Sequence, residues 1–251
     1  MQTSTLQTSK ITALAGLFVV FLTSVMRADT AAPYPKMAPL EQYLMPSEDE
    51  IALARTAAPE SISRDAAVMV LGPQGYRTAV PGTNGFVCVV ERAWSSPSND
   101  PGFWDPKSRS PLCWNAAGAR YCVPLLNLRT GFVLAGLSKD EIAAKMKAAR
   151  EAKEFPPLEA GAMCYMMSKR GRLNDRAGHW HPHLMFYRPV EEASTWGAGL
   201  PGSPIYEGTD DLDQVAIFLV PVMRWSDGSD ESKPELCGPT PTPTTAAAGS
   251  R

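Results

Sequence analysis

No stretch of this chain is apolar for the roughly 20 residues that a helix needs to cross a bilayer. The longest apolar, charge-free run covers residues 11–25 and is fifteen residues. Basic residues are not in excess either: 24 Lys and Arg stand against 26 Asp and Glu, a formal net charge of −2 with no basic run. That balance excludes the electrostatic footprint of a nucleic-acid binder and argues against docking on anionic membrane surfaces. No Cys-x-x-Cys occurs, which removes thioredoxin-like and c-type haem chemistry. Histidine is the scarcest ionisable residue: the chain has 3, all within residues 179–183.

What is present begins at the N-terminus. Lys10, the apolar run, then Arg27, Ala28 and Asp29 have the layout of a cleavable secretion signal over residues 1–28. Cleavage is expected after Ala28, although Met26 is larger than the residue usual three positions before a cut, and an uncleaved N-terminal anchor is the alternative. No cysteine lies near the cut, so a lipoprotein is not expected. Removal takes Lys10 and Arg27 with it, shifting the net charge from −2 to −4 and leaving 223 residues, enough for one sizeable core. The remainder is expected in the periplasm or outside the cell, with no membrane span after signal removal. There the cysteines at 88, 113, 122, 164 and 237 allow two disulfides and one thiol over. Cys113 and Cys122, close in the chain, are the first pair to expect.

Residues 29–46 carry four prolines and read as an extended arm, followed by a single domain over 47–233 and a Pro/Thr-rich tail over 234–251 expected to be disordered. Ser47-x-x-Glu50 and Ser138-x-x-Glu141 have capping-box spacing, each before an apolar-periodic segment, and predict two helices. In the second, Ile142, Met146 and Ala149 share one face. Residues 66–71, 76–80 and 86–92 are apolar or β-branched, separated by Gly-rich loops, and predict a three-stranded meander. The Gly-rich loop at 82–85 is read as a turn, because no helix with Lys-Ser/Thr follows it. Residues 93–124 read as a long loop anchored by Trp94, Phe103, Trp104 and Trp114, with a carbohydrate-stacking surface as the other use of those rings. Residues 125–137 lean helical. Three more strands are expected at 162–168, 179–188 and 215–225, the last apolar on both faces and so interior. The class is α+β: a mainly antiparallel sheet of about six strands in the order β-β-β-α-α-β-β-β, with helices packed on one side.

The one segment that carries chemistry is His179-Trp180-His181-Pro182-His183. As a strand it puts Trp180, Leu184 and Phe186 on the core face and His179, His181, His183, Met185 and Tyr187 on the other. Residues two apart on one face stand roughly 6.5–7 Å apart, close enough for two imidazoles to share an ion. His181 and His183 are the first pair, with His179 as a third ligand if the chain turns. Pro182 argues for an edge strand, since it has no N–H to give a neighbour. Cys164 and Met166 face the histidines in one of two possible registers, and Asp175, Glu91, Glu191 and Glu192 are the available carboxylates. Carboxylate or water beside His suits zinc, whereas Cys or Met would favour copper. Histidines that only hydrogen-bond to water or backbone are the plainer reading. A Cys164–imidazole pair and a Ser168–His181–Asp175 set have the residue types of nucleophilic catalysis but no supporting motif. Arg170, Arg172 and Arg176 lie in the neighbouring loop, where they would meet an anionic substrate or simply face water.

Gly-Thr-Asn-Gly-Phe-Val-Cys at 82–88, Gly-Ala-Met-Cys-Tyr-Met-Met-Ser at 161–168, Gly-His-Trp-His-Pro-His-Leu-Met-Phe at 178–186 and Trp-Ser-Asp-Gly at 225–228 resemble a family of uncharacterised bacterial exported proteins. The resemblance spans roughly residues 55–228 and implies one coherent domain and no particular activity. Three functional expectations follow. The first is a metal-dependent hydrolase with zinc on His181 and His183 and Asp175 as the acid–base or orienting carboxylate. The second is a non-catalytic zinc or copper protein completed by Cys164 or Met166. The third is a module that binds an unknown small molecule or partner, in which the histidines are structural and the Trp-rich loop makes the contact.

Overall fold

Gly75, at φ +109°, lets the chain reverse between two apolar runs. Across it β1 (Ala67–Gly72) pairs antiparallel with β2 (Gly75–Val80). β3 (Val87–Glu91) then departs from the expected meander: it lies on the other side of β1 and parallel to it. Burial explains the choice. β2 exposes Arg77 and Thr78 and tolerates an edge, whereas Cys88, Val89 and Val90 are buried and need neighbours on both sides. The loop at 81–86 therefore crosses the start of β1, so tightly that a Cβ on Gly82 would lie 2.1 Å from the Ala67 nitrogen.

The chain is described here from a computed structural model over residues 34–174, 178, 180–210, 212 and 214–231. The expected signal, the start of the arm and the C-terminal tail lie outside these residues, as do Asp175, Arg176, His179 and Cys237. The described residues fall within one compact unit. Their sheet has eight strands, more than the six expected, in the order β2-β1-β3-β4-β5-β6-β8-β7, with every pair after β1–β3 antiparallel. β5 is Met163–Met166, β6 His183–Pro189 and β8 Val215–Pro221. The two unforeseen strands are β4 (Ser110–Trp114) and β7 (Tyr206–Asp210). β4 begins Ser-Pro inside an apparent loop, and β7 carries Gly208 and Asp210, residues that strands usually avoid. β8, paired on both sides, takes the interior place its apolar sequence demands.

Four α-helices attach to this sheet: α1 (Ser47–Arg55), α2 (Glu60–Ser63), α3 (Ala116–Leu134) and α4 (Lys139–Glu151). The capping box of α4 forms as read: the Ser138 hydroxyl accepts from Glu141 N, the Ser138 N–H donates to Glu141 Oε2 at 2.8 Å, and Ile142, Met146 and Ala149 are buried. That of α1 does not. Pro46 holds the cap position, Ser47 is already helical, and Glu50 turns into the protein, accepting from Leu71 N at 3.2 Å and Arg92 Nη2 at 2.9 Å. α3 starts well before the expected residue 125 and runs through Pro124. A proline inside a helix costs about 3 kcal/mol, so burial and capping must outweigh it. Asn115 is the cap. Its Oδ1 accepts from Gly118 N at 2.8 Å and Met163 N at 3.2 Å, and its Nδ2 donates to Gly161 O at 2.8 Å, fastening α3 to the start of β5. Asn115→Ala should lower the unfolding free energy by about 1–2 kcal/mol, read as a lower urea midpoint with an unchanged slope.

Helices lie on both faces, not on one. Val89, Leu112 and Trp114 face α3 together with Ala119, Cys122 and Leu126. The alternate residues Cys88, Val90 and Cys113 face Leu53, Ala54 and Ala57 of α1 and the turn after it. This parity also overturns the expected Cys113–Cys122 bridge: Cys122 is on α3, with the sheet between it and Cys113. The disulfide joins Cys88 to Cys113, directly opposed on β3 and β4, and Cys122 and Cys164 are buried thiols. Trp94, Phe103 and Trp104 are buried against α3 and α4 through Leu125, Val133, Ile142 and Met146, so they act as anchors of their loop and not as an exposed stacking surface.

Candidate ligand cavity

α3 is 19 residues, about 28 Å long, and lies against β2, β4 and β5. β6, β8 and β7 lie beyond those strands in the sheet order. A cavity of about 380 Å³ opens there. Its floor is the sheet, with Trp114, Met166, Met185, Tyr187 and Ile217 contributing side chains. Its roof is one stripe of α3, Cys122, Leu126 and Arg129, spaced at helical intervals. Ser95, Ser96, Pro97 and Asp100 of the segment after β3 also line it, as do Leu173 and Trp180. The far face of β6 and β8 is covered separately, where Trp196 stacks on Phe218 at 5.0 Å.

The walls are mainly apolar, with a few polar groups at defined points. The Tyr187 hydroxyl accepts from Trp114 Nε1 at 3.1 Å and donates to Cys164 Sγ at 3.4 Å. Burial raises the Tyr187 phenol well above its ordinary range, and it stays protonated. Burial likewise pushes the Cys164 thiol up to about 12, against the pull of the Tyr187 hydrogen bond. At neutral pH it is not a thiolate, which removes the expected driving force for a Cys164–imidazole nucleophile. Arg92 and Arg129 are buried in the wall. Arg92 spans Glu50, Tyr43 O at 2.7 Å and Val90 O, and Arg129 reaches Trp94 O at 3.3 Å. Glu91, one of the carboxylates expected near a metal, lines this cavity, while Glu192 instead pairs with Arg188 at 3.0 Å.

The histidine run does not keep strand parity. The ladder begins at His183, opposite Met166 on one side and Pro221 on the other. Residues 180–182 precede it unpaired as a strand, apart from Val222 N donating to Pro182 O. Alternation holds only while a strand is paired, so Trp180 lines the same cavity as His183, their rings 6.3 Å apart and edge-on, instead of following Leu184 and Phe186. A Cβ on Gly171 would meet the Trp180 ring at 2.6 Å, which shows how closely that indole is seated. Pro182 marks the entry to an interior strand, not an edge strand.

The two imidazoles consequently have different partners. His181 Nδ1 stands 3.4 Å from Glu231 Oε2, both side chains largely buried. His183 Nδ1 is 2.7 Å from His181 O, and burial holds its pKa below the ordinary histidine value. His179 and Asp175 lie outside the described residues. Among the described residues no group of three or more His, Cys, Asp or Glu side chains is placed to hold an ion. Of the two registers open to β5, the structure has the one that turns Cys164 and Met166 toward this face, opposite Met185 and His183. Ser168 is fully buried and shares a hydrogen bond with Thr56 Oγ1, so it offers no accessible hydroxyl. Arg172 pairs with Asp105 at 2.9 Å, which makes it a loop brace. The cavity itself escaped sequence reading, because its walls come from β3 to β8 and α3 and no short motif encodes them.

No protein-family model, no curated protein and no solved structure matches this chain.

Proposed function

We propose that this is an exported binding protein whose cavity between the sheet and α3 takes up a small, largely apolar molecule. The observation that carries the reading is the cavity itself. Its volume of about 380 Å³ falls in the range of small-molecule sites, roughly 300–1,000 Å³, and such sites share its mix of apolar walls and few polar groups. Tyr187 and His183 supply polar atoms on the floor, Arg129 supplies one on the roof, and the Trp and Met side chains supply contact area. Export fits a buried Cys88–Cys113 disulfide, which persists in oxidising compartments. The zinc hydrolase expected from the histidine run takes second place. Its described support is one imidazole–carboxylate pair, His181 with Glu231, while His183 turns to the cavity.

Leu219 lines the cavity from β8 and is only partly buried, so a larger side chain there fills space without breaking the core. Wild-type protein should bind an apolar fluorophore such as N-phenyl-1-naphthylamine saturably at one site. Leu219→Trp should weaken that binding about tenfold or more, a cost of roughly 1.4 kcal/mol or above, with the thermal midpoint kept within a few degrees. Equal affinity in both proteins would place the probe elsewhere and end this reading.

A further inference from the structure

One wall of the cavity gathers soft donor atoms. The register of β5 and β6 sets Met166 directly opposite His183 and Cys164 opposite Met185. Met166, His183 and Met185 all line the cavity. Opposed residues of an antiparallel pair have Cβ atoms about 4.5–5.5 Å apart, and diagonal ones about 7–8 Å. Two thioethers on flexible, unbranched stems reach across such gaps to a common point beside the imidazole.

The imidazole is already oriented for a ligand. A carbonyl oxygen only accepts, so the 2.7 Å contact with His181 O fixes the proton on Nδ1 and leaves the lone pair on Nε2. That contact uses Nδ1 and not Nε2. A ring held by its other N–H on a backbone carbonyl is the arrangement that metal-ligating histidines adopt. Trp180 stands edge-on to that ring and lines the same cavity.

We infer that Met166 Sδ, Met185 Sδ and His183 Nε2 form a binding site for a soft monovalent ion of the Cu(I) or Ag(I) type. Thioethers select such ions over zinc, calcium or magnesium, which favour thiolate, imidazole or oxygen donors. A ligand set without formal charge also suits a single positive charge better than two, since the larger charge costs more to desolvate in an apolar wall. The site goes beyond the small-molecule reading, because it uses one wall of the cavity and not its volume. It also differs from the expected His181–His183 pair: only His183 is retained, and both thioethers are required.

The test uses the full chain labelled with ¹³C at the methionine methyl groups and titrated with Ag(I) in chloride-free buffer. Of its 11 methionines, two resonances should move and saturate at one equivalent. Met166→Leu and Met185→Leu, changes that conserve volume, assign those resonances. The double variant should bind Ag(I) about 100-fold more weakly or worse. Zn(II) should leave both resonances in place. Titration of a chain carrying Cys122→Ala, Cys164→Ala and Cys237→Ala separates this site from thiol capture, and the same two methyl groups should still respond. The inference is overturned if Ag(I) moves neither methyl group, if the double variant binds as tightly as wild type, if the response vanishes with the thiols, or if Zn(II) moves the same pair at equal affinity.

Discussion

Arg92→Met is expected to lower the unfolding free energy by about 3–5 kcal/mol, the cost of stranding a buried charge. Arg92 and Glu50 are both fully buried, 2.9 Å apart. The guanidinium also donates to Tyr43 O and Val90 O, tying the arm before α1 to the end of β3. Glu50 accepts from Leu71 N as well, so its carboxylate is held on three elements at once. Without Arg92 that carboxylate faces an apolar interior with one weak donor. Removing both charges, as Glu50→Leu/Arg92→Met, should recover most of the loss, since an apolar pair of similar volume replaces a buried ion pair at little net cost.

The pH dependence has a definite sign. Burial raises the Glu50 carboxyl above its ordinary value, although Arg92 and the Leu71 N–H pull it back down. Between the unfolded and folded pKa values the native chain therefore binds the extra proton, and stability falls as pH rises through that window. Arg92→Met removes the main downward pull, so its window extends further up. Its penalty should be largest at neutral pH and should shrink as acid neutralises Glu50. Urea midpoints measured for both proteins from neutral pH down to the carboxylate range check this. A penalty under 1 kcal/mol, or one that does not change with pH, would show that the pair is not what holds this junction.

Glu50 also shows where sequence reading met its limit. Ser-x-x-Glu before an apolar run has the same appearance at 47–50 and at 138–141, yet only the second is a capping box. The difference is tertiary: the residue just after β3 offers Glu50 a buried arginine, whereas Glu141 is exposed. Local signals served well where local physics decides. The β1–β2 hairpin, the buried face of α4 and the interior place of β8 were all legible from spacing and turn residues. Features decided by distant partners were not. The parallel placement of β3, the continuation of α3 through Pro124 and strand β4 inside a Pro- and Trp-rich stretch each depend on what packs against them. The candidate site was half legible. The histidine run ends on a strand that lines the cavity, and of the two registers open to β5 the structure has the one that sets Met166 opposite His183. Strand parity does not extend back through Pro182, where no ladder enforces it, so it does not by itself set His181 beside His183.

Disulfide connectivity obeys the same distinction and gives the second large effect. Cys88→Ala/Cys113→Ala should cost about 3 kcal/mol, the loop-closure value for a bridge spanning 25 residues. Cys122→Ala, which removes one buried atom from the cavity roof, should cost only about 1 kcal/mol. Dithiothreitol should lower the denaturation midpoint of wild type and Cys122→Ala alike and leave the double variant unmoved. Peptide mapping of the oxidised protein should recover Cys88 joined to Cys113, with Cys122 labelled only after unfolding. A Cys113–Cys122 peptide in its place would mean that β4 does not alternate as described. The cavity floor would then have to be rebuilt, because Leu112 and Trp114 face α3 only if Cys113 faces away. The same increment bears on where the chain works. Kept in a reducing compartment it would forgo about 3 kcal/mol, a large part of the 5–15 kcal/mol that a domain commonly has. The proposed export would place the chain where this bridge persists.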